Sequence, residues 1–198
     1  MIDYKKASIY YLVGNLFNRG IGFLTIPIFS RIMSTYDYGI INTYSSWLAV
    51  TAMVAGFALH MGIRAAFVYF RDEIDGFMSV VCTFTLIIGT IMVLVVVIFL
   101  LLVNIQIGSF LVILCFLQGL FSAILEDYSM YLMMQMKYKT RTFLMIVPNL
   151  ISVIISLFVI LFLLKSDLYI GKIIPTAFIT IAAGVIVIIL IYSRSKCL

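Results

Sequence analysis

Three polar residues near the N-terminus, Asn15, Asn18 and Arg19, lie within a long apolar stretch where a charge is costly. Arginine at the centre of a membrane span costs about 2.5–3.5 kcal/mol on insertion scales, so such residues usually face a bundle interior or a wet cavity. Asn15, Arg19 and Gly22 recur at i, i+4 and i+7, which places them on one helix face. This pattern predicts either a substrate or ion pathway or a face that packs on neighbouring helices.

A second candidate is the carboxylate pair Glu126 and Asp127, near the end of a later apolar stretch. Carboxylates at the mouth of a helix bundle can bind a cation or a proton, which would couple an ion to transport. The alternative is a helix-end pair that lies among lipid headgroups. The sequence leaves both interpretations open.

Other chemistry has little support in the sequence. His60 is the single histidine, and Cys82, Cys115 and Cys197 have neither metal-ligand nor redox spacing, so no metal site or catalytic centre is predicted. No glycine-rich phosphate loop is present, so we expect no nucleotide and no other cofactor. Nucleic-acid binding would need a folded domain with a basic surface, and little of the chain remains to form one.

Composition places the chain in the membrane class. Of its 198 residues, 65% are hydrophobic and 11% are charged, against about 25% charged in soluble domains. The apolar stretches predict an all-α integral membrane protein, a six-transmembrane-helix bundle that forms a single lobe over residues 1–198. The predicted spans are residues 8–33, 39–62, 77–103, 109–134, 142–164 and 170–192.

The basic residues predict the orientation of these spans. Nine lysines and arginines fall on one side of the membrane and three on the other, with Arg19 inside a span. Basic loops stay cytoplasmic, so both termini are expected in the cytoplasm of a multi-pass protein. The nine are Lys5, Lys6, Arg64, Arg71, Lys137, Lys139, Arg141, Arg194 and Lys196; the three are Arg31, Lys165 and Lys172.

Small and polar residues predict which helix faces pack, because lipid tails favour apolar side chains. The third span is unbroken apolar from Ile91 to Val103, so we expect it at the periphery, facing lipid. The other five would surround a polar interior contributed mainly by the first span. The predicted packing stripes are Asn42, Ser46, Ala49, Met53 and Gly56; Cys115, Gln118 or Gly119, Ser122 and Glu126; Asn149, Ser152 and Ser156; and Thr176, Thr180 and Gly184.

The first two hairpins resemble the Wzx-type polysaccharide flippases of the multidrug/oligosaccharidyl-lipid/polysaccharide exporter superfamily. The related lipid II flippases have a segment similar to residues 17–23 in their first helix, although they continue with a second arginine where this chain has Thr25. The residues that carry the Wzx resemblance are Gly14-Asn15-x-x-Asn18-Arg19, Pro27-Ile28-x-x-Arg31-Ile32-Met33, Tyr38-Gly39, Tyr44-Ser45-Ser46-Trp47-Leu48, Gly56-x-x-x-x-x-Gly62 and Tyr69-x-Arg71-Asp72-Glu73.

This resemblance implies a transporter rather than an enzyme. It would move an undecaprenyl-diphosphate-linked oligosaccharide across the bacterial cytoplasmic membrane by alternating access, for O-antigen or capsule synthesis. Arg19 would bind the diphosphate, supported by Asn15 and Asn18. Family members have about twelve to fourteen helices in two lobes, with substrate between them, so this chain resembles the N-terminal lobe and would need a second lobe of six to eight helices.

Two rival functions remain. A drug/cation antiporter of the same superfamily would favour buried carboxylates over a buried arginine, whereas the central charge here is positive. A membrane enzyme acting on lipid-linked sugars would carry a large outer loop, whereas the outer connectors here are only a few residues long.

The charge distribution predicts where reporter fusions will be active. Fusions after Lys6, Arg71, Lys139 and Arg194 should report the cytoplasm, because basic loops stay on that side. Fusions after Thr35, Gln106 and Asp167 should report the external side. A cysteine placed at Gln106 that resists impermeant thiol reagents in intact cells would contradict this topology.

Overall fold

A computed structural model describes residues 4–69, 73–103, 108–164 and 167–195, with the side chains of all but residues 4–8, Tyr11, Arg19 and Ser195. Several residues behind the orientation prediction therefore lie outside the described part, namely the side chains of Lys5 and Lys6 and the whole of Arg71, Lys165 and Lys196. The backbone of Arg19 is described, but its side chain is not.

The described residues are almost entirely helical and contain no strand, which confirms an all-α chain. Six stretches are long and apolar enough to cross a membrane. The helices within the described ranges are α1 (Tyr4–Ile32), α2 (Thr35–Gly56), α3 (Leu59–Tyr69), α4 (Ile74–Val103), α5 (Ser109–Met134), α6 (Tyr138–Phe162) and α7 (Leu168–Ser195).

The second apolar stretch is broken rather than continuous, which corrects the predicted span of 39–62. Phe57 and Ala58 both have positive φ angles, 46° and 55°, and they separate α2 from α3. The 22 residues of α2 extend about 33 Å and suffice to cross a bilayer alone. The 11 residues of α3 extend about 16 Å and are too short to do so. The α3 helix buries Ile63 and Ala66.

The start of α2 has a local cause. The backbone N–H of Asp37 donates to Ser34 Oγ at 3.1 Å, and Ser34 Oγ donates to Asp37 Oδ2 at 2.6 Å. A serine paired with an acidic residue three positions later satisfies N–H groups that a new helix leaves without partners. This pairing ends α1 and begins α2 within a very short turn.

The chain divides into two compact units, and the first comprises residues 1–43 and 132–179. In it α1 packs along α6. Tyr10 lies against Tyr138 with ring centroids 4.9 Å apart, Gly14 meets Thr142, and Asn18 bonds to Asn149. The contact positions rise together along both helices, so α1 and α6 run in parallel. Successive membrane spans alternate in direction, so a first and a fifth span are expected to run in parallel.

The second unit comprises residues 44–131 and 180–198 and is built around α5. Within the described residues, α5 contributes more buried side chains to this unit than any other helix, including Ala123, Ile124 and Tyr128. Small residues bring its neighbours close. Gly119 lies against Thr51 of α2, and Gly184 of α7 lies against the Phe121 ring, with no room for a Cβ atom at either glycine.

Three of the predicted packing features agree with the structure. On α6, Ser152 and Ser156 are buried. On α7, Gly184 is buried and Thr176 and Thr180 are half-buried. On α4, no residue after Gly89 is buried, so the half of α4 from Ile91 to Val103 is peripheral as expected.

The predicted α2 stripe is wrong. Asn42, Ser46, Ala49 and Met53 are exposed and only Gly56 is buried. Thr51 and Gly56 are buried because they meet small residues of α5; the buried residues of α2 are Asp37, Ile41, Thr51, Ala55 and Gly56.

The predicted α5 stripe is right except at its last residue. Cys115, Gln118 and Gly119 are buried and Ser122 is half-buried, but Glu126 is exposed and its neighbour Asp127 is buried instead.

The expectation that the first span supplies the polar interior is also wrong. Among the described side chains of α1, only Gly14 and Phe29 are buried. Leu16 and Phe23 are 67% and 75% exposed, and the Asn15 amide is exposed as well. Within the first unit, α1 packs chiefly on α6, so most of its described side chains are exposed in that unit.

The break between α2 and α3 predicts a stabilising substitution. A left-handed conformation costs a non-glycine residue about 1–2 kcal/mol, so Ala58→Gly should stabilise the protein by about 1 kcal/mol. Ala65→Gly, in the exposed interior of α3, should instead destabilise it by about 1 kcal/mol. Thermal unfolding in detergent checks both; a lower unfolding temperature for Ala58→Gly would contradict the strained turn.

Candidate functional site

A polar patch joins α1 and α6 in the first unit. Asn149 Nδ2 donates a hydrogen bond of 2.8 Å to Asn18 Oδ1, and both amides are half-buried. Ser152 Oγ donates 2.7 Å to the Asn149 carbonyl, so α6 adds a second polar group one turn further on. Amide contacts of this kind stabilise helix pairs in membranes by about 0.6 kcal/mol on average. The Asn18 amide therefore acts at least in part as a packing group.

The three predicted substrate-binding residues are not all on the same side of α1. Asn15 is exposed, whereas Asn18 faces α6. Each residue of an α-helix is rotated by about 100° around the helix axis from the one before it. The Cα of Arg19 therefore lies on nearly the same side of α1 as the Cα of Asn15, and about 100° away from that of Asn18. Arg19 lies near the middle of α1, and its side chain is outside the described part of the chain. The backbone thus separates a packing position, Asn18, from an outward-facing pair of positions, Asn15 and Arg19.

The predicted carboxylate pair also separates. Glu126 is exposed, while Asp127 is 1% exposed and Thr85 on α4 is fully buried. Thr85 Oγ1 donates a hydrogen bond of 3.1 Å to Asp127 Oδ2. Consecutive helical residues point about 100° apart, so only one of two adjacent carboxylates can face the α4–α5 contact. The structure identifies that one as Asp127.

Asp127 receives little compensation for its burial. Cys82, one turn before Thr85 on α4, is its buried neighbour, and Glu126 adds a second negative charge nearby. Among the residues that the structure describes, no lysine, arginine or histidine pairs with Asp127. Two arginines of this unit interact with other groups, since Arg64 Nε contacts Met130 Sδ at 3.2 Å and Arg194 bonds to Tyr131.

Sequence reasoning missed a polar cluster where α4 begins and α7 ends. Tyr131 Oη donates to Asp75 Oδ1, and Arg194 bonds to Tyr131. Tyr128 stacks on Tyr131 at 5.6 Å between centroids, and its buried hydroxyl has no hydrogen-bond partner within the described ranges. The signal in the sequence that could have indicated this cluster is the three-residue spacing of Tyr128 and Tyr131, which places both phenols on one face of α5.

A second missed feature is a polar chain across three helices. Tyr44 Oη on α2 donates 2.8 Å to Gln118 Oε1 on α5, and Gln118 Nε2 donates 3.4 Å to Thr180 Oγ1 on α7. Gln118 and Thr180 were predicted as packing positions, but Tyr44 was not. These neutral groups satisfy one another, so their evident role is to hold α2, α5 and α7 together.

The chemistry available is therefore acid–base and electrostatic. The described residues contain no group of three or more histidines, cysteines or carboxylates that could hold a metal ion. Comparison with protein-family models, with curated proteins and with solved structures gives no match. Each unit has one distinguishing charged position: Arg19 in the middle of α1 in the first unit, and the buried carboxyl of Asp127 on α5 in the second.

Proposed function

We propose that this chain is one lobe of a flippase that moves an undecaprenyl-diphosphate-linked oligosaccharide across the bacterial cytoplasmic membrane. The observation that carries the proposal is that Arg19 and Asn15 occupy the outward part of α1, in the middle of a helix of membrane length. A charge at this depth normally faces a polar partner or a wet cavity. The resemblance of residues 14–73 to polysaccharide flippases supplies the substrate class.

Arg19 would lower the barrier for the diphosphate to cross. Its planar guanidinium can donate two parallel hydrogen bonds to phosphate oxygens, which a lysine cannot match. Because the inside of the membrane is negative, moving each negative charge outward is favourable by about 2.3 kcal/mol of free energy per 100 mV of membrane potential. The obstacle is thus desolvation of the anion near the midplane, and a fixed positive charge there reduces it. The sugars would cross in a polar cavity while the prenyl tail stays in lipid.

A second lobe would complete that cavity. The exposed α1 surface carries Asn15 among apolar side chains such as Leu16 and Phe23. An amide and a charge facing lipid are unfavourable, so this surface is suited to contact a further bundle of six to eight helices. In a two-lobe exporter with substrate between the lobes, it would line the substrate path. Both termini would lie in the cytoplasm.

A drug/cation antiporter is the second candidate, and one observation favours it. Asp127 is buried within a membrane-length helix without a basic partner in the described part of the chain. Cation-coupled antiporters depend on such carboxylates. The two functions differ in which charge is indispensable. An antiporter would need Asp127 and tolerate loss of Arg19, whereas the flippase needs Arg19 in every case.

The test is substitution of Arg19 in the complete two-lobe protein. Arg19→Ala should abolish polysaccharide export while membrane insertion and abundance stay normal, because the diphosphate loses its counter-charge. Arg19→Lys should retain part of the activity, because lysine keeps the positive charge but cannot donate two parallel hydrogen bonds as the planar guanidinium does. The measurement is surface polysaccharide per molecule of inserted protein, together with accumulation of lipid-linked oligosaccharide.

Arg31→Ala is the matched control, because Arg31 is an exposed arginine in the last turn of the same helix. It should leave export near normal. If Arg19→Ala lowers abundance but the inserted molecules that remain export normally, Arg19 is a packing residue. This result would contradict the proposed binding of the diphosphate by Arg19.

A further inference from the structure

We propose that Asp127 and Thr85 form a proton-exchanging site inside the membrane, in which the Asp127 carboxyl alternates between its neutral and ionised forms. The site deepens the proposed transport function and rests on it only for the use made of the proton. It involves residues of α4 and α5 alone, both within the second unit. The side chains at the site are buried: Thr85 is fully buried, and Cys82 and Asp127 are each 1% exposed.

A merely structural role does not account for Asp127. A carboxylate removed from water needs an opposite charge or several donors, and it otherwise takes up a proton. Thr85 supplies one hydroxyl, at 3.1 Å from Oδ2. As a packing residue, an asparagine would make the same contact without the cost of an ionisable group. The carboxyl is therefore suited to a task that needs a proton to come and go.

The surroundings favour a proton over a metal cation. The described residues offer only the two carboxyl oxygens of Asp127 and the hydroxyl of Thr85 at this point, with a cysteine as the other close neighbour. Hard cations such as Ca²⁺ and Mg²⁺ take about six or more oxygen ligands. A proton needs one oxygen. Because Thr85 donates to Oδ2, Oδ1 is the oxygen left to carry it.

The exchange changes one bond. A proton from water is added to Asp127 Oδ1 as an O–H bond forms, which gives the neutral acid, and its return to water restores the carboxylate. Thr85 keeps its own proton and continues to donate to Oδ2. The described titratable groups that interact with Asp127 are Cys82 on α4 and Glu126 on α5. The other charged or titratable groups on the helices of this unit include Tyr128, Tyr131 and Cys115 on α5, Asp75 on α4, His60, Arg64 and Tyr69 on α3, and Tyr192 and Arg194 on α7.

The experiment is labelling with dicyclohexylcarbodiimide, an apolar reagent that modifies protonated carboxyls in membranes. The full chain in membrane vesicles is treated near neutral pH, and the modified residue is located by mass spectrometry. We expect modification of Asp127, its loss in Asp127→Asn, and its persistence in Glu126→Gln, which makes the same chemical change at the exposed neighbour. Sodium ions should give no protection.

A spectroscopic measurement covers the case in which Asp127→Asn does not fold. A neutral carboxylic acid has an infrared carbonyl band that an ionised carboxylate lacks, and this band should persist in Glu126→Gln near neutral pH and disappear as the pH is raised. Absence of Asp127 modification and of the band in the wild-type chain would overturn the proposal, as would protection by sodium. Neither readout uses transport, so labelling of Asp127 together with absence of export by the complete two-lobe protein would leave this site standing and refute the flippase alone.

Discussion

Every polar group at membrane depth must find a partner without the help of bulk water, and this constraint orders the whole chain. Some groups are satisfied inside it, as in the Asn18–Asn149 amide pair and the Tyr44–Gln118–Thr180 chain. Asp127 has one hydroxyl donor and is suited to take up a proton. Asn15 of α1 is exposed in the first unit, and in the function proposed above it and Arg19 face a second lobe. Polar groups that have enough hydrogen-bond partners within the described chain are suited to packing, and groups that have too few are suited to transport.

Hydropathy was enough to predict the helical class and the number of membrane-length stretches. Runs of apolar residues interrupted by polar turns define six such stretches, because a span needs about 20 apolar residues. The same reasoning located the peripheral half of α4, where Ile91–Val103 has no polar side chain to bury. On α6 and α7, Ser152, Ser156 and Gly184 were correctly predicted to be buried.

What could not be predicted depends on tertiary contacts. Sequence does not say which of Glu126 and Asp127 faces α4, since either choice leaves an apolar stripe beside it. Nor does it show that α1, with its central arginine, packs chiefly on α6 in the first unit, while α5 becomes the centre of the second unit. The break at Phe57 has no proline and no glycine at the strained positions. The Asp75–Tyr131–Arg194 cluster joins residues from three helices.

The central claim is that the outward face of α1 is completed by a second lobe and works only then. The most direct measurement is surface polysaccharide per inserted molecule, in export-deficient cells that make this chain alone or together with a matching second lobe. The account predicts normal insertion and no export for the chain alone, and export when both lobes are present. Full export by the isolated chain, shown to be monomeric in the membrane, would contradict it.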